Sequence, residues 1–152
     1  MVDQHGFSDA EWELLLTVPF AVFLVVAYAD GGLSSAERRA FASIAEDVGA
    51  QADRPQDALL RDVMGQISRE FDEIMGRLDM QLAEGVPWVL SAGRTLLDGM
   101  SDGAQALAFK ETMVSMAQTV AAAWPRFGRR TTVDEQRSID FVRDLLGLPA
   151  AP

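Results

Sequence analysis

The chain of 152 residues contains no cysteine and a single histidine, His5. The absence of cysteine excludes disulfides, thiolate nucleophiles and cysteine-ligated zinc. It is also typical of a reducing compartment, so we expect a cytoplasmic protein. His5 lies in a polar N-terminal stretch, where a disordered tail is expected and a general base is not. The chain also lacks a P-loop, a dinucleotide-binding fingerprint and a serine elbow, so we expect no enzyme of those classes.

Basic residues are few, because 13 Lys and Arg stand against 23 Asp and Glu and give a formal net charge of −10. Such a surface repels a phosphate backbone, so nucleic acid is not an expected partner. Surface acids such as Glu70, Asp72 and Glu73 are typical of a solvated helix face. A carboxylate-based enzyme would need two acids that converge on an acidic pocket, and we keep that enzyme as an alternative function.

The most apolar stretch runs from Leu14 to Ala29 and contains Pro19. It is shorter than the roughly 20 apolar residues of a membrane span. Glu11 and Glu13 precede it, whereas a signal peptide begins with positive charge. The stretch therefore predicts a buried central helix, and a membrane-docking protein that uses this helix is the other alternative.

Three capping boxes predict where helices begin: Ser8 with Glu11, Ser34 with Glu37, and Thr132 with Glu135. We expect the first helix to run to about Asp30. Glycine is the usual residue at a helix end, so we expect the second helix to end at Gly49 and the last at Gly147.

The middle of the chain has a clear helical period. Apolar residues from Leu60 to Leu82 recur every 3.6 residues and predict one long amphipathic helix. Gly85-Val86-Pro87 interrupts it, residues 88–97 form a short helix, and a further helix ends at Trp124 before Pro125. No segment alternates polar and apolar residues, so we expect an all-α, single-domain bundle of about six to seven helices.

Two segments of the chain repeat each other. Aligning Glu37 with Glu135 pairs apolar and glycine positions: Phe41 with Ile139, Ile44 with Val142, Val48 with Leu146, and Gly49 with Gly147. We therefore expect one domain over residues 1–152, with helix–turn–helix units at about 8–49 and 104–148 and amphipathic helices at about 56–99 between them.

Methionines fall on otherwise apolar helical faces at four positions: Met64, Met75, Met113 and Met116. Packing in the core is one interpretation. The other is an adaptable groove for a partner helix, since methionine suits surfaces that repack.

The first unit carries a family resemblance. An apolar helix ends in Ala29-Asp30-Gly31, a short turn with one aliphatic residue follows, and Ser34-Ser35-Ala36-Glu37-Arg38 begins the next helix. This pattern resembles the TerB-like family of tellurite resistance, and the order of the two units and the middle helix resembles it over the whole chain. The resemblance implies an all-helical, non-enzymatic protein of stress and metal-resistance systems. It also implies complexes with other proteins, in some cases at the inner membrane.

The resemblance also implies a divalent metal, calcium or magnesium, at acidic Asp-Gly turns, and Asp30 and Glu37 match the first of these turns. The alternative is that Asp30 accepts N–H groups of the turn while Glu37 closes the capping box. At the second turn Arg126, Arg129 and Arg130 stand where the family has acids. These arginines can neutralise Asp30 or Glu37, contact an anionic ligand or acidic partner, or form a solvated loop.

Overall fold

The computed structural model describes the backbone of residues 6–27, 35–83, 85–123 and 132–149, with side chains at 6–25, 39–77, 85–120 and 136–149. Seven α-helices form this part of the chain: α1 (Asp9–Ala27), α2 (Ser35–Gln51), α3 (Ala58–Arg69), α4 (Phe71–Ala83), α5 (Val86–Asp98), α6 (Gly103–Ala123) and α7 (Thr132–Leu145). A 3-10 turn, Pro55–Asp57, leads into α3, and the described residues include no strand. The all-α prediction of six to seven helices is confirmed.

Helix α1 begins with the predicted capping box. The Ser8 N–H donates to Glu11 Oε1 at 2.8 Å, and the Glu11 N–H donates to Ser8 Oγ at 3.2 Å. From Leu15 to Phe23 every residue is buried, and α1 contacts α3, α4, α5, α6 and α7. The prediction of a buried central helix is confirmed. None of the helices in the described segments is long and apolar enough to cross a membrane.

Four phenylalanines form an aromatic cluster where α1, α2 and α4 meet. Phe41 of α2 lies against Phe20 and Phe23 of α1, with ring centroids 4.7 and 4.6 Å apart. Phe71, the first residue of α4, lies 5.6 Å from Phe20 and 5.4 Å from Phe41. Tilted and edge-on rings at these distances attract each other beyond the burial of their surface, so the cluster fixes α2 and α4 on the central helix.

Helices α1 and α5 approach closely at Gly93. A Cβ atom at Gly93 would lie 2.6 Å from Cγ2 of Val18, closer than carbon atoms pack. Gly93 is buried, and Val89, Leu90 and Leu97 of the same helix are buried with it. The missing side chain therefore allows the backbones of these two helices to come together.

The prediction of one long amphipathic helix in the middle of the chain is wrong, because Glu70 separates α3 from α4. Glu70 has φ −125° and ψ 33°, although its N–H still donates to the Gln66 carbonyl at 3.0 Å. Ile67 on one side and Phe71 on the other are both buried. The break leaves both apolar faces on the core, so the 3.6-residue period continues across it and does not reveal it.

Gly49 and Gly147, paired in the repeat, play different roles. Helix α2 continues past Gly49 to Gln51, so the predicted end at Gly49 is wrong. A Cβ at Gly49 would lie 3.6 Å from the Gly65 nitrogen, so Gly49 marks a contact of α2 with α3. Gly147 has φ +76° and ends α7, as predicted, while the Leu148 N–H donates to the Arg143 carbonyl at 3.0 Å.

Candidate functional site

The residues predicted to bind metal or an anion lie outside the described side chains. Asp30 belongs to segment 28–34 and Arg126, Arg129 and Arg130 belong to segment 124–131, while Glu37 contributes only its backbone, to α2. The metal site and its neutralisation by arginine both stay predictions. Within the side chains that the structure does describe, no three acidic or histidine residues come together to hold a metal ion.

A groove of about 480 Å³ lies between α2 and α6, beside the connection from α2 to α3. We call it the α2–α6 groove. Four of its apolar residues come from three helices: Ile44 and Val48 of α2, Leu60 of α3 and Met116 of α6. Leu60 and Met116 are buried, and the other two are half-buried. Its remaining residues are Asp47, Gln51, Ala52, Asp53, Arg54, Asp57, Thr112, Ser115 and Thr119.

One carboxylate of this groove, that of Asp57, is bound by Arg54. Arg54 donates to both oxygens of Asp57, from Nε at 2.9 Å and from Nη2 at 3.0 Å, and its N–H donates to the same group at 3.3 Å. This arginine lowers the pKa of the buried Asp57 carboxyl, and the nearby Arg61 contributes to the lowering. Asp57 is therefore a structural group that fixes the connection between α2 and α3.

The other two acids of the groove, Asp47 and Asp53, are exposed and make no ion pair within the described part of the chain. The hydrogen bond and charge of Asp57 raise the pKa of Arg54, and the charges of Glu111 and Asp53 add to this effect, so negative charge predominates around this arginine. The groove thus combines an apolar lining with an excess of negative charge.

A second groove of about 480 Å³ lies on the other side of α6, towards the end of α7, and we call it the α6–α7 groove. Its residues come from α6, from α7 and from the two residues after Gly147: Leu107, Glu111, Val114, Ser115, Gln118, Arg143, Leu148 and Pro149. Ser115 lines both grooves and therefore lies on the ridge between them.

Among the described side chains, three carboxyls have a shifted pKa, and each is shifted downward. The hydrogen bond from Lys110 lowers the pKa of Asp98, with a further contribution from Arg94. Hydrogen bonds from the side chain and N–H of Gln105 lower the pKa of Asp102, while Asp57 has its arginine. A general acid needs the opposite, a carboxyl whose pKa is raised towards neutrality. These three groups are arranged to stay charged, as structural carboxylates are.

Sequence reasoning missed the polar residues of the α2–α6 groove. A signal was present in the sequence: Pro55 stands at the first position of a helical turn, and Asp57 follows two residues later. Of the four methionines, Met64, Met113 and Met116 are buried and Met75 is half-buried against the core, which confirms core packing. Met116 also lines the α2–α6 groove.

No protein-family model, no curated protein and no solved structure matches this chain. The TerB-like resemblance thus stays a prediction from the first turn and the order of the helices.

Proposed function

We propose that this protein is a non-enzymatic interaction module that binds a basic, amphipathic helix of a partner protein in the α2–α6 groove. The observation that carries the proposal is the position of two exposed carboxylates, Asp47 and Asp53, beside the half-buried Ile44 and Val48. Neither carboxylate makes an ion pair within the described part of the chain. Following the TerB-like resemblance, we assign the partner to a stress-response or metal-resistance complex.

The groove suits such a helix for physical reasons. An amphipathic helix binds by laying its apolar face into an apolar groove, here against Met116 and Leu60. Lysine or arginine at the edge of that face would then reach Asp47 and Asp53. The net charge of −10 attracts a basic segment over a longer range and speeds its association.

A labelled model peptide tests the groove directly. We would measure the fluorescence anisotropy of a helical peptide of leucine and lysine titrated with the wild-type protein and with D47K/D53K. We expect the groove variant to weaken binding roughly tenfold or more, because both carboxylates become repulsive. The matched control is D72K/E73K, which changes the net charge equally at two exposed positions of α4.

The control separates a specific groove from a generally acidic surface. The proposal requires D72K/E73K to bind almost as well as the wild type, with only a small effect of net charge. Equal weakening by both variants would contradict it, and so would a wild-type protein that does not bind the peptide.

The predicted metal site is tested separately by calorimetric titration with calcium, magnesium and zinc. Stoichiometric binding that is lost in D30N and in E37Q would support a metal at the first turn. It would also contradict neutralisation of these acids by Arg126, Arg129 or Arg130. If the wild type binds none of the three ions, the metal prediction is wrong and the capping interpretation of Glu37 is preferred.

A further inference from the structure

The α6–α7 groove presents an apolar surface to solvent. Leu107 is 48% exposed on the outer face of α6, and Val114, Leu148 and Pro149 line the hollow beside it. Positions 107, 111, 114 and 118 of α6 all line the groove, and their spacing of four, three and four residues forms one stripe along the helix. This spacing is the one with which two helices pack side by side.

Two opposite charges lie in the same groove without satisfying each other. Glu111 makes no ion pair in the described part of the chain. The Nε atom of Arg143 is buried and has no hydrogen-bond partner, and among the described residues it is the only such side-chain nitrogen or oxygen atom. Arg143 Nη1 makes one long contact, 3.4 Å, with the Pro149 carbonyl. Because Nε is buried, a docking partner would contact the terminal Nη atoms, which make only this one long contact among the described residues.

We infer that a second copy of this chain docks on the α6–α7 groove and forms a two-fold symmetric dimer. In a two-fold symmetric contact the same patch of both copies meets, so every pairing occurs twice. Glu111 of each copy then faces Arg143 of the other. A basic partner would satisfy Glu111 and repel Arg143, and an acidic partner would do the reverse. The patch carries one charge of each sign, so it is complementary to itself.

The balance of charge also explains why the contact lies here. With a net charge of −10, two copies repel each other over most of their surface. The α6–α7 groove is locally neutral and apolar, so it suffers little of that repulsion. Its α7 side is held in place by the glycine end of the helix, where the Gly147 N–H donates to the Asp144 carbonyl at 3.0 Å. A preformed surface loses less conformational entropy on association.

Sedimentation velocity of the full chain over a range of concentrations tests the dimer. We expect a wild-type dimer that Leu107→Asp dissociates, with a dissociation constant raised roughly tenfold or more. The control is Trp88→Asp, because Trp88 is 53% exposed on α5, outside the residues of the groove. We expect that variant to dimerise as the wild type does.

Charge reversal tests the pairing itself. Glu111→Arg should weaken the dimer because it places two arginines opposite each other, and the double variant E111R/R143E should restore it. Circular dichroism verifies that each variant is folded. Should the Arg143 variants fail to fold, Leu107→Asp and Glu111→Arg alone decide, since both change exposed residues of α6.

Three results would overturn the inference. The first is a wild type that stays monomeric up to about 1 mM. The second is an equal weakening of the dimer by Leu107→Asp and Trp88→Asp. The third is a folded double variant that dimerises as weakly as Glu111→Arg. Binding of the basic model peptide is measured at the other groove, so the dimer and the proposed function can fail independently.

Discussion

The two longest helices, α1 and α6, are held in the bundle in different ways. Helix α1 is buried without interruption from Leu15 to Phe23 and packs against its neighbours through apolar side chains and one close backbone approach. Its ion pair lies nearer the surface, where Arg77 of α4 donates to both carboxylate oxygens of Glu13.

Helix α6 buries one face, which includes Phe109, Met113 and Ala117, and polar groups also attach it to its neighbours. The buried Lys110 pairs with Asp98 of α5, and the Gln105 side chain accepts the Leu59 N–H of α3 at 2.9 Å.

We expect the two helices to have different roles, α1 in the stability of the protein and α6 in binding. Apolar burial supplies most of the free energy of folding, so we expect α1 to determine the stability of the protein. Helix α6 contributes residues to both grooves, with Ser115 on the ridge between them. We therefore expect substitutions on the exposed face of α6 to change binding while they leave stability nearly unchanged.

The largest effect is expected from Phe20→Ala in α1. Phe20 is fully buried and contacts the rings of Phe41 and Phe71, so its truncation removes apolar contacts and leaves a cavity among three helices. We expect the free energy of unfolding to fall by about 3–5 kcal/mol, as measured by urea denaturation. Phe141→Ala is the control: Phe141 is partly exposed on α7, so a change of roughly 0.5 kcal/mol or less is expected. Similar losses in both variants would contradict the central role of α1.

The next effect concerns the close approach of α1 and α5. Gly93→Ala places a methyl group 2.6 Å from Val18 Cγ2, and we expect it to destabilise the protein by about 1–3 kcal/mol in urea denaturation. Adding Val18→Ala should recover part of this loss, because the two side chains then no longer collide. A double-mutant cycle measures that coupling.

Gly76 provides the matched control for Gly93. It lies inside α4, where a Cβ would meet no atom within 4 Å. Gly76→Ala should therefore stabilise the protein by about 0.5–1 kcal/mol, since alanine loses less entropy in a helix. If both alanine variants stabilise the protein, the backbones of α1 and α5 do not approach as closely as described.

These glycines illustrate how far the sequence predicts the structure. Local signals predicted the Ser8–Glu11 capping box, the end of α7 at Gly147 and the burial of α1, because each depends on neighbouring residues or on one helical period. The role of Gly93 depends on Val18, which is distant along the chain, and no local pattern contains it. The break at Glu70 was missed for another reason, since both halves of that segment keep the same apolar face.

The candidate sites also differ in whether local sequence can suggest them or only the fold brings their residues together. The resemblance supplied Asp30 and Glu37 as possible ligands, which local sequence can suggest. The grooves are formed by residues that the fold brings together from separate helices. The two charged residues Glu111 and Arg143 belong to α6 and α7, and their spacing along the chain carries no signal of the groove they share.

The ion pair of Lys110 with Asp98 attaches α6 through a buried lysine, whereas both partners of the Glu13–Arg77 pair of α1 are partly exposed. Asp98→Ala leaves the buried ammonium of Lys110 without its partner, and we expect a loss of about 1–2 kcal/mol, limited because Asp98 itself is half-exposed. Lys110→Met removes the buried charge and keeps the apolar stem, so we expect little change or a small gain. Urea denaturation of both variants checks this asymmetry. Equal losses would mean that the pair, and not the burial of an unpaired charge, determines stability.

The same pair gives a dependence on pH. Lys110 lowers the pKa of Asp98 below its ordinary value near 3.8, so the folded protein binds this proton less readily than the unfolded chain does. The stabilisation is complete well above pH 3.8 and is lost as the pH falls through the lowered folded pKa. The difference in stability between the wild type and Asp98→Ala should therefore shrink in acid. A difference that does not change down to low pH would contradict the pairing.

A small effect is expected at the start of α1, where the capping box is exposed. Ser8→Ala removes the acceptor for the Glu11 N–H, and caps of this kind contribute about 1 kcal/mol, so the melting temperature should fall by roughly 2–4 °C. Ser8→Thr keeps a hydroxyl and should change little. Phe7, directly before the capping box, is buried in the core and helps to hold this end of α1 in place. An unchanged melting temperature in Ser8→Ala would mean that apolar packing alone orders the start of α1, and the contrast with the polar attachment of α6 would become sharper still.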